Sequence, residues 1–299
     1  MEKNVLEIEN ACKLTSTVYA WLRNDIPYKT GYEYWRDIHG TLISRIPGKF
    51  IYRQLHMAPI INLQYGKLRK YVNMVAISEQ IKGIAHSYYI NRDELDKYRQ
   101  HRITRTYIFE DEPNLVRSNA SLWSIDNDSK TLKDNTGNIE PQGKTVNDEF
   151  VVSFIFNSES NINTRREAVL FVSNNLAGKD VVIRVRYHLL EDYDDDNIPD
   201  TKVSHQRPVG VRYNAWIELA VGPVNIVGIL EPILSEILSD LTTIHIQPVF
   251  EKYTIVAEEK PTIVGLKGFP AYQTILQSGA INQLDEKLLQ DLYGKFPKE

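Results

Sequence analysis

The chain has 299 residues, a formal net charge of −4, 42% hydrophobic and 25% charged residues, and a single cysteine. These proportions are ordinary for a folded protein large enough to hold two or three subdomains. One cysteine excludes an internal disulfide, and the lack of any apolar run near 18 residues argues against a spanning helix.

The opening MEKNVLEIENACK lacks the basic, apolar and small-residue succession of a signal peptide, so no signal peptide and no membrane contact are expected. Val5, Ile8, Cys12, Thr15, Tyr19 and Leu22 recur every three or four residues, which predicts a first helix over residues 4–24, stopped by Pro27. Cys12 lies on that stripe and reads as core. A second helical pattern runs through Tyr32, Trp35, Ile38, His39, Leu42, Ile43 and Ile46 to Pro47-Gly48, with His39 at its boundary. Short strands fit Phe50–Leu55 and Ile60–Gln64. Leu68, Tyr71, Val72, Val75, Ile81, Ile84, Ala85 and Tyr88 predict a long helix, and Asn91 is placed to cap another through Arg99.

Residues 1–106 carry 17 Lys and Arg against 10 Asp and Glu, whereas the remainder carries 18 against 29. The basic third reads as a solvated face or a contact between unlike ends of neighbouring copies, in preference to a nucleic-acid surface. From Ile103 onward the apolar period falls from about 3.6 towards 2. FVVSFIFN (residues 150–157) and AVLFVS (168–173) read as central strands of a sandwich-like unit. The expected class is therefore α+β. It has a mainly helical, basic region over 1–103, a β-rich domain over 104–222, and a small α+β unit over 223–299.

Val181–Val221 is the most distinctive stretch. Val181, Ile183, Val185, Tyr187 and Leu189 alternate with Arg184, Arg186 and His188, and Val211–Val221 alternates in the same way, which predicts two half-buried strands. Between them lies EDYDDDNIPD, with six acidic residues in ten. Carboxylates at alternate positions suit a loop wrapped on a hard cation, since calcium takes six to eight oxygens. Asp192, Asp194, Asp196 and Asp200, with the backbone carbonyl of Ile198, are the candidate ligands of Ca2+. An equally plain reading pairs the loop with Arg184, Arg186, Arg207 or Arg212.

The nine-residue string DYDDDNIPD resembles the D-x-D-x-D-x-I-P-D loops of thrombospondin type 3 repeats, which implies calcium binding there. It departs from that pattern in having Asn197 at the turn and no second copy. Val203 stands where an EF-hand would place its bidentate Glu.

No G-x-S-x-G, Walker A loop, G-x-G-x-x-G, H-E-x-x-H or zinc cysteine pair occurs. His188 and His205 flank the acidic loop, and Trp123 and Trp216 are candidate sugar platforms. The expected function is non-enzymatic: a structural or assembly subunit of a multi-copy particle, such as a phage or virus-like tail, neck or baseplate component. Its partners would be itself and other particle subunits, in a virion or the cytoplasm. The alternative is a calcium-dependent carbohydrate-binding module. For the acidic loop, Ca2+ is expected to raise the Tm more than Mg2+, because binding only the folded state stabilises it. Asp194→Asn combined with Asp196→Asn removes that rise, and identical melting curves in EDTA and excess Ca2+ would reject the site.

Overall fold

Two stretches of this chain repeat one order of elements. The computed structural model describes residues 5–60, 65–72, 76–137, 140–192, 203, 213–285 and 287–288. After α1 (Val5–Asn10) come β1 (Leu14–Leu22), α2 (Tyr28–Tyr34), a π-turn (Trp35–His39) leading into α3 (Gly40–Ile43), β2 (Ile51–Met57) and β3 (Gly83–Tyr89). They are followed by α4 (Arg92–Gln100), a second π-turn (Thr104–Ile108), α5 (Phe109–Leu115) and β4 (Val116–Ile125). A short β5 (Ser129–Asp134) leads to β6 (Gln142–Phe156), α6 (Ile162–Ala177), β7 (Val182–Leu189), β8 (Glu191–Asp192), β9 (Ala215–Val221), α7 (Ile226–Leu234) and β10 (Leu241–Ala257). The described chain closes with β11 (Lys260–Pro261), α8 (Ile263–Lys267), α9 (Phe269–Gln277) and a short 3-10 turn.

Each repeat is thus strand, helix, strand, strand, helix, strand, the split β-α-β plan. The strand orders match: β2-β3-β1-β4 in the first and β7-β9-β6-β10 in the second. All pairings are antiparallel. β10 joins the repeats by pairing with β2, through Val249↔Met57 to Val256↔Tyr52. On the other side β4 pairs with β8, at Leu122↔Asp192 and Trp123↔Glu191. β8 continues β7 after the single residue Leu190, so the ends of the sheet meet and it curls into a barrel. β5 extends the same seam against β7.

Closure buries both faces of the strands: the outer face lies under helices and the inner face lines the barrel. One half of the interior is apolar and aromatic, with Tyr19, Trp21, Leu55, Met57, Ile84, Leu122 and Trp216 in one cluster. The other half is ionic. Glu9 is wholly buried, and α1 delivers it to Arg53 of β2, with Arg184 Nη2 2.9 Å from both carboxylate oxygens and Arg186 Nη1 3.5 Å away. Arg184 also reaches Asp134 and, at 3.1 Å, Glu218. Glu218 accepts from Lys252 at 2.6 Å, and Lys252 pairs with Glu149. Burial alone would raise the Glu9 carboxyl, but Arg184, Arg53 and Arg186 together hold it far below the usual range. Glu218 is held low in the same way by Arg184 and Lys252.

The α+β class with a β-rich middle is the observed one. The hairpin strands also pair as expected, from Val182↔Val221 to Leu189↔Ala215. They are buried on both faces, however, where half-burial was expected: Arg184, Arg186 and His188 are 2%, 0% and 0% exposed. The strands form one curled sheet in place of a sandwich-like pair. The helix expected over 4–24 is α1 followed by the nine-residue strand β1, and the helix expected over Leu68–Tyr88 ends in β3. AVLFVS is not a strand but part of α6, which Asn161 caps by accepting from the Thr164 amide. The expected boundaries near 103 and 222 fall inside the two repeats. The cap expected at Asn91 is present, its Oδ1 accepting from the Glu94 amide at 3.1 Å. Among the described residues no helix is long and apolar enough to cross a membrane.

Removing one partner of a buried ion cluster leaves uncompensated charge, at a cost of roughly 3–5 kcal/mol. Glu9→Gln is expected to lower unfolding stability by that order in urea. Glu33→Gln, at an exposed i,i+4 pair with Lys29, is expected to change it by less than about 0.5 kcal/mol. Because the folded-state carboxyls of Glu9 and Glu218 are depressed, their stabilisation is full above the unfolded value of about 4.3 and is lost as pH falls below it. Equal urea midpoints for Glu9→Gln and Glu33→Gln would refute the interior network as a stabilising element.

Candidate active site in the first repeat

The same layer is built differently in the two repeats. In the second, the space between sheet and helices is solid. Val152 and Phe154 of β6, Ile217 and Leu219 of β9 and Ile244 and Ile246 of β10 pack against Val169, Val172 and Leu176 of α6 and Leu230 and Leu234 of α7. In the first, the corresponding outward positions are Ser16 and Val18 of β1, Ala85, Ser87 and Tyr89 of β3, and Asn119, Ser121 and Trp123 of β4. These smaller and more polar side chains line a cavity of about 670 Å³. Its other wall is His39 and Ile43 from the α2–α3 segment and Leu95, Tyr98, Arg99, Thr104, Ile108 and Glu112 from the α4–α5 segment. Both helical walls are interrupted by a π-turn, a feature frequent at functional sites. Gly83 brings β3 against the first wall, since a Cβ there would lie 2.2 Å from the Trp35 ring.

Lys49 enters this cavity. Gly48 turns the chain with φ +101, and a Cβ on it would lie 2.2 Å from the Glu94 carbonyl, so the turn against α4 needs glycine. The Lys49 amine, 5% exposed, donates to Ser87 Oγ at 2.7 Å and Tyr89 Oη at 2.9 Å. It lies 3.8 Å from the Tyr98 ring centre and 5.2 Å from those of Tyr52 and Tyr89. Among the described residues it makes no ion pair. Burial pushes its pKa well below the usual lysine value, and the charge of Arg99 pushes it the same way. Burial thus works against the charge on this amine, while the tyrosine rings around it favour that charge.

Glu112 is the second displaced group. Its Oε2 is buried without a hydrogen-bond partner, and burial, then the charge of Asp111, pushes the carboxyl up to about 7. Asp111 is held the opposite way. Burial would raise it, but His39 Nδ1 at 2.8 Å and the Tyr34 hydroxyl, which donates to it, outweigh that and keep it below the usual range. Asp111 thereby ties α5 to the α2–α3 segment and fixes the neighbouring Glu112 on the cavity wall. Arg92, Arg99 and Arg105 add positive charge to the lining, with the Arg99 guanidinium 5.2 Å from the Trp123 ring centre. An amine whose pKa burial depresses, a carboxyl pushed up to about 7, aromatic walls and guanidinium groups together suit acid–base chemistry on a planar anion.

Asp194, Asp196, Ile198 and Asp200 of the calcium expectation, and His205, fall outside the described residues; Asp192 ends β8, its backbone registered with Leu122. His188 lies inside the barrel, stacked on Trp216 with ring centres 4.2 Å apart and bonded through Nδ1 to Ser129 Oγ at 2.9 Å. Trp216, wholly buried, offers no platform for a sugar, whereas Trp123 lines the cavity. The described partners of Arg184 are Glu9, Asp134 and Glu218. Cys12 is core as expected, and burial pushes its thiol up to about 12.

No family model matches the chain. No curated protein matches it either. Among solved structures the fold is similar to a "putative monooxygenase" from Fusobacterium nucleatum, at 8% identity and TM-score 0.46, covering 84% of this chain and 95% of that one. It is also similar to an anthrone oxidase-like protein, at 6% identity and TM-score 0.47 over 83% and 94% of the two chains. A siroheme decarboxylase follows at 6% identity and TM-score 0.39 over 92% and 82%. The expectation of a non-enzymatic phage or virus-like structural subunit finds no counterpart among these neighbours, which are described as enzymes or enzyme-like, and it is not carried forward. The likeness is one of fold alone, and the chemistry below rests on this chain's own residues.

The raised carboxyl has a definite pH signature. The folded state binds the Glu112 proton more tightly than the unfolded chain does, so its stabilising contribution is full below about 4.3 and is lost as pH rises through about 7. Glu112→Gln stays neutral throughout. The variant is expected to gain stability relative to wild type between pH 4.5 and 7.5, with the difference levelling above about 8. A difference independent of pH would show that Glu112 is not a buried, displaced carboxyl.

Proposed function

We propose that the chain is an enzyme that moves protons on a small, planar, anionic carbonyl compound held in the cavity of the first repeat. Lys49 is the reacting amine and Glu112 the proton donor and acceptor. Arg99, beside Trp123, meets the substrate's anionic group, and the tyrosine and tryptophan rings flank its plane.

Lys49 carries this reading. Burying an amine in an aromatic, polar-lined cavity without a carboxylate partner costs stability, and a leucine or methionine would serve packing better. The second repeat fills the same layer with aliphatic side chains. A displaced amine facing an open volume is the mark of a reacting group, and about 670 Å³ falls in the range of small-molecule sites.

4-Acetylbenzoate is a suitable probe, being planar, anionic and weakly acidic at the carbon next to its carbonyl. In D2O near pH 7 the protein is expected to catalyse deuterium entry into its methyl group, followed by proton NMR. Lys49→Met is expected to lower the rate by about 10²-fold or more, and Glu112→Gln by a similar order, as for loss of a general acid–base group. Arg99→Ala is expected to raise KM about tenfold with kcat less affected, as for loss of a charge-assisted contact. Exchange equal in wild type and Lys49→Met would refute the assignment.

A further inference from the structure

We propose that Lys49 acts covalently, forming an imine with an aldehyde or ketone that also carries a carboxylate; the proposal rests on the proton-transfer reading above and specifies its route. The geometry at the amine points to it. The Lys49 amine donates to Ser87 Oγ at 2.7 Å and to Tyr89 Oη at 2.9 Å. Both acceptors stand on β3, a central strand of the sheet, so the amine is held on a rigid support. Lys49, Arg99 and Glu112 line one cavity, which supplies a nucleophile, a cation and a proton donor to a single small molecule.

The steps balance without an added redox partner. The nitrogen lone pair of Lys49 forms a bond to the carbonyl carbon while the C=O π electrons pass to oxygen. A proton moves from nitrogen to that oxygen, giving a carbinolamine. Glu112 then protonates the hydroxyl, the C–O bond breaks, and water leaves. The product is a protonated imine facing the Glu112 carboxylate, so the two new charges pair in a site of low dielectric. The positive nitrogen acidifies the adjacent C–H bond, whose proton passes to the same carboxylate, and hydrolysis reverses the sequence. Lysines freed of charge by burial are the ones suited to this chemistry.

The test uses the whole chain, with 4-formylbenzoate and cyanoborohydride near pH 7, which reduces an imine to a stable amine. Modified peptides are then located by mass spectrometry. Lys49 is expected to be modified at least tenfold faster than Lys29, whose side chain is 86% exposed. Glu112→Gln is expected to slow the modification of Lys49 tenfold or more while leaving that of Lys29 unchanged. If Lys49 is modified no faster than Lys29 while wild-type 4-acetylbenzoate exchange persists and needs Lys49, the covalent route is overturned and simple proton abstraction stands. If exchange and selective modification both fail in folded wild-type protein, both readings fall. Selective modification at Lys49 without exchange supports the imine and overturns the proton-transfer assignment.

Discussion

The interior ion cluster is the constraint from which the rest of the architecture follows. Arg53, Arg184 and Arg186 come from two different repeats, and no side chain on their own strands neutralises them. Glu9 does so from α1, Glu218 from β9 and Asp134 from β5, while Lys252 of β10 draws in Glu149 of β6. Each ion is costly to bury alone, so the cluster is tolerable only when all these elements are assembled at once. That ties the N-terminal helix, the seam strand β5 and both repeats into one cooperative unit. It also turns every strand carrying such a residue the same way, with the charged side chain inward.

Once the inner face is assigned, the outer face of each strand has to be covered by helices. The two repeats solve this differently. In the second, branched aliphatics from strands and helices interdigitate, and that half supplies a conventional apolar core. In the first, serine, alanine and asparagine on the strands leave a hollow, and the two interrupted helical segments span it. Asp111 links them by accepting from Tyr34 and bonding His39. A solid repeat beside a hollow one is a division of labour: one half stabilises the barrel, and the other spends packing on a cavity with displaced amine and carboxyl groups.

What could be read from the chain follows the same logic. The β7–β9 hairpin was legible because Arg184, Arg186 and His188 alternate with Val185, Tyr187 and Leu189. The inference from alternation to solvent was wrong, since the polar face is inside the barrel. β1 (LTSTVYAWL) and β3 (GIAHSYY) are buried on both faces, so they lack a clean period of two, and isolated apolar residues three or four apart imitate a helix. The β-branched and aromatic content of β1 was the better signal. The six-residue run AVLFVS in α6 could equally be a strand, and only the Asn161 cap separates the two. The site was nearly silent. Lys49 is one basic residue among many, and it stands 38 to 63 positions before Ser87, Tyr89, Tyr98 and Glu112, with which it lines the cavity. Pro47-Gly48 marked the turn that positions it, but nothing local showed that the amine turns inward.

On β2 the ion cluster and the cavity lie on opposite faces of one strand, Arg53 meeting Glu9 inside and Tyr52 lining the cavity outside, so one register serves two purposes. On β3, His86 packs against His188 and Trp216 inside the barrel, while its neighbours Ser87 and Tyr89 hold the Lys49 amine outside. On β2, Arg53 meets Glu9 inside, while Tyr52 and Gln54 face the helical layer, where the Gln54 side chain donates to the Trp35 carbonyl at 2.9 Å. A slip of one residue in β2 would put the Tyr52 hydroxyl in place of the ion partner Arg53, and a slip in β3 would put Ser87 in place of His86 among the inner rings. The interior charges therefore do more than close the barrel. By making a slipped β2 cost an unpaired buried ion, they fix Tyr52 on the cavity side of the sheet.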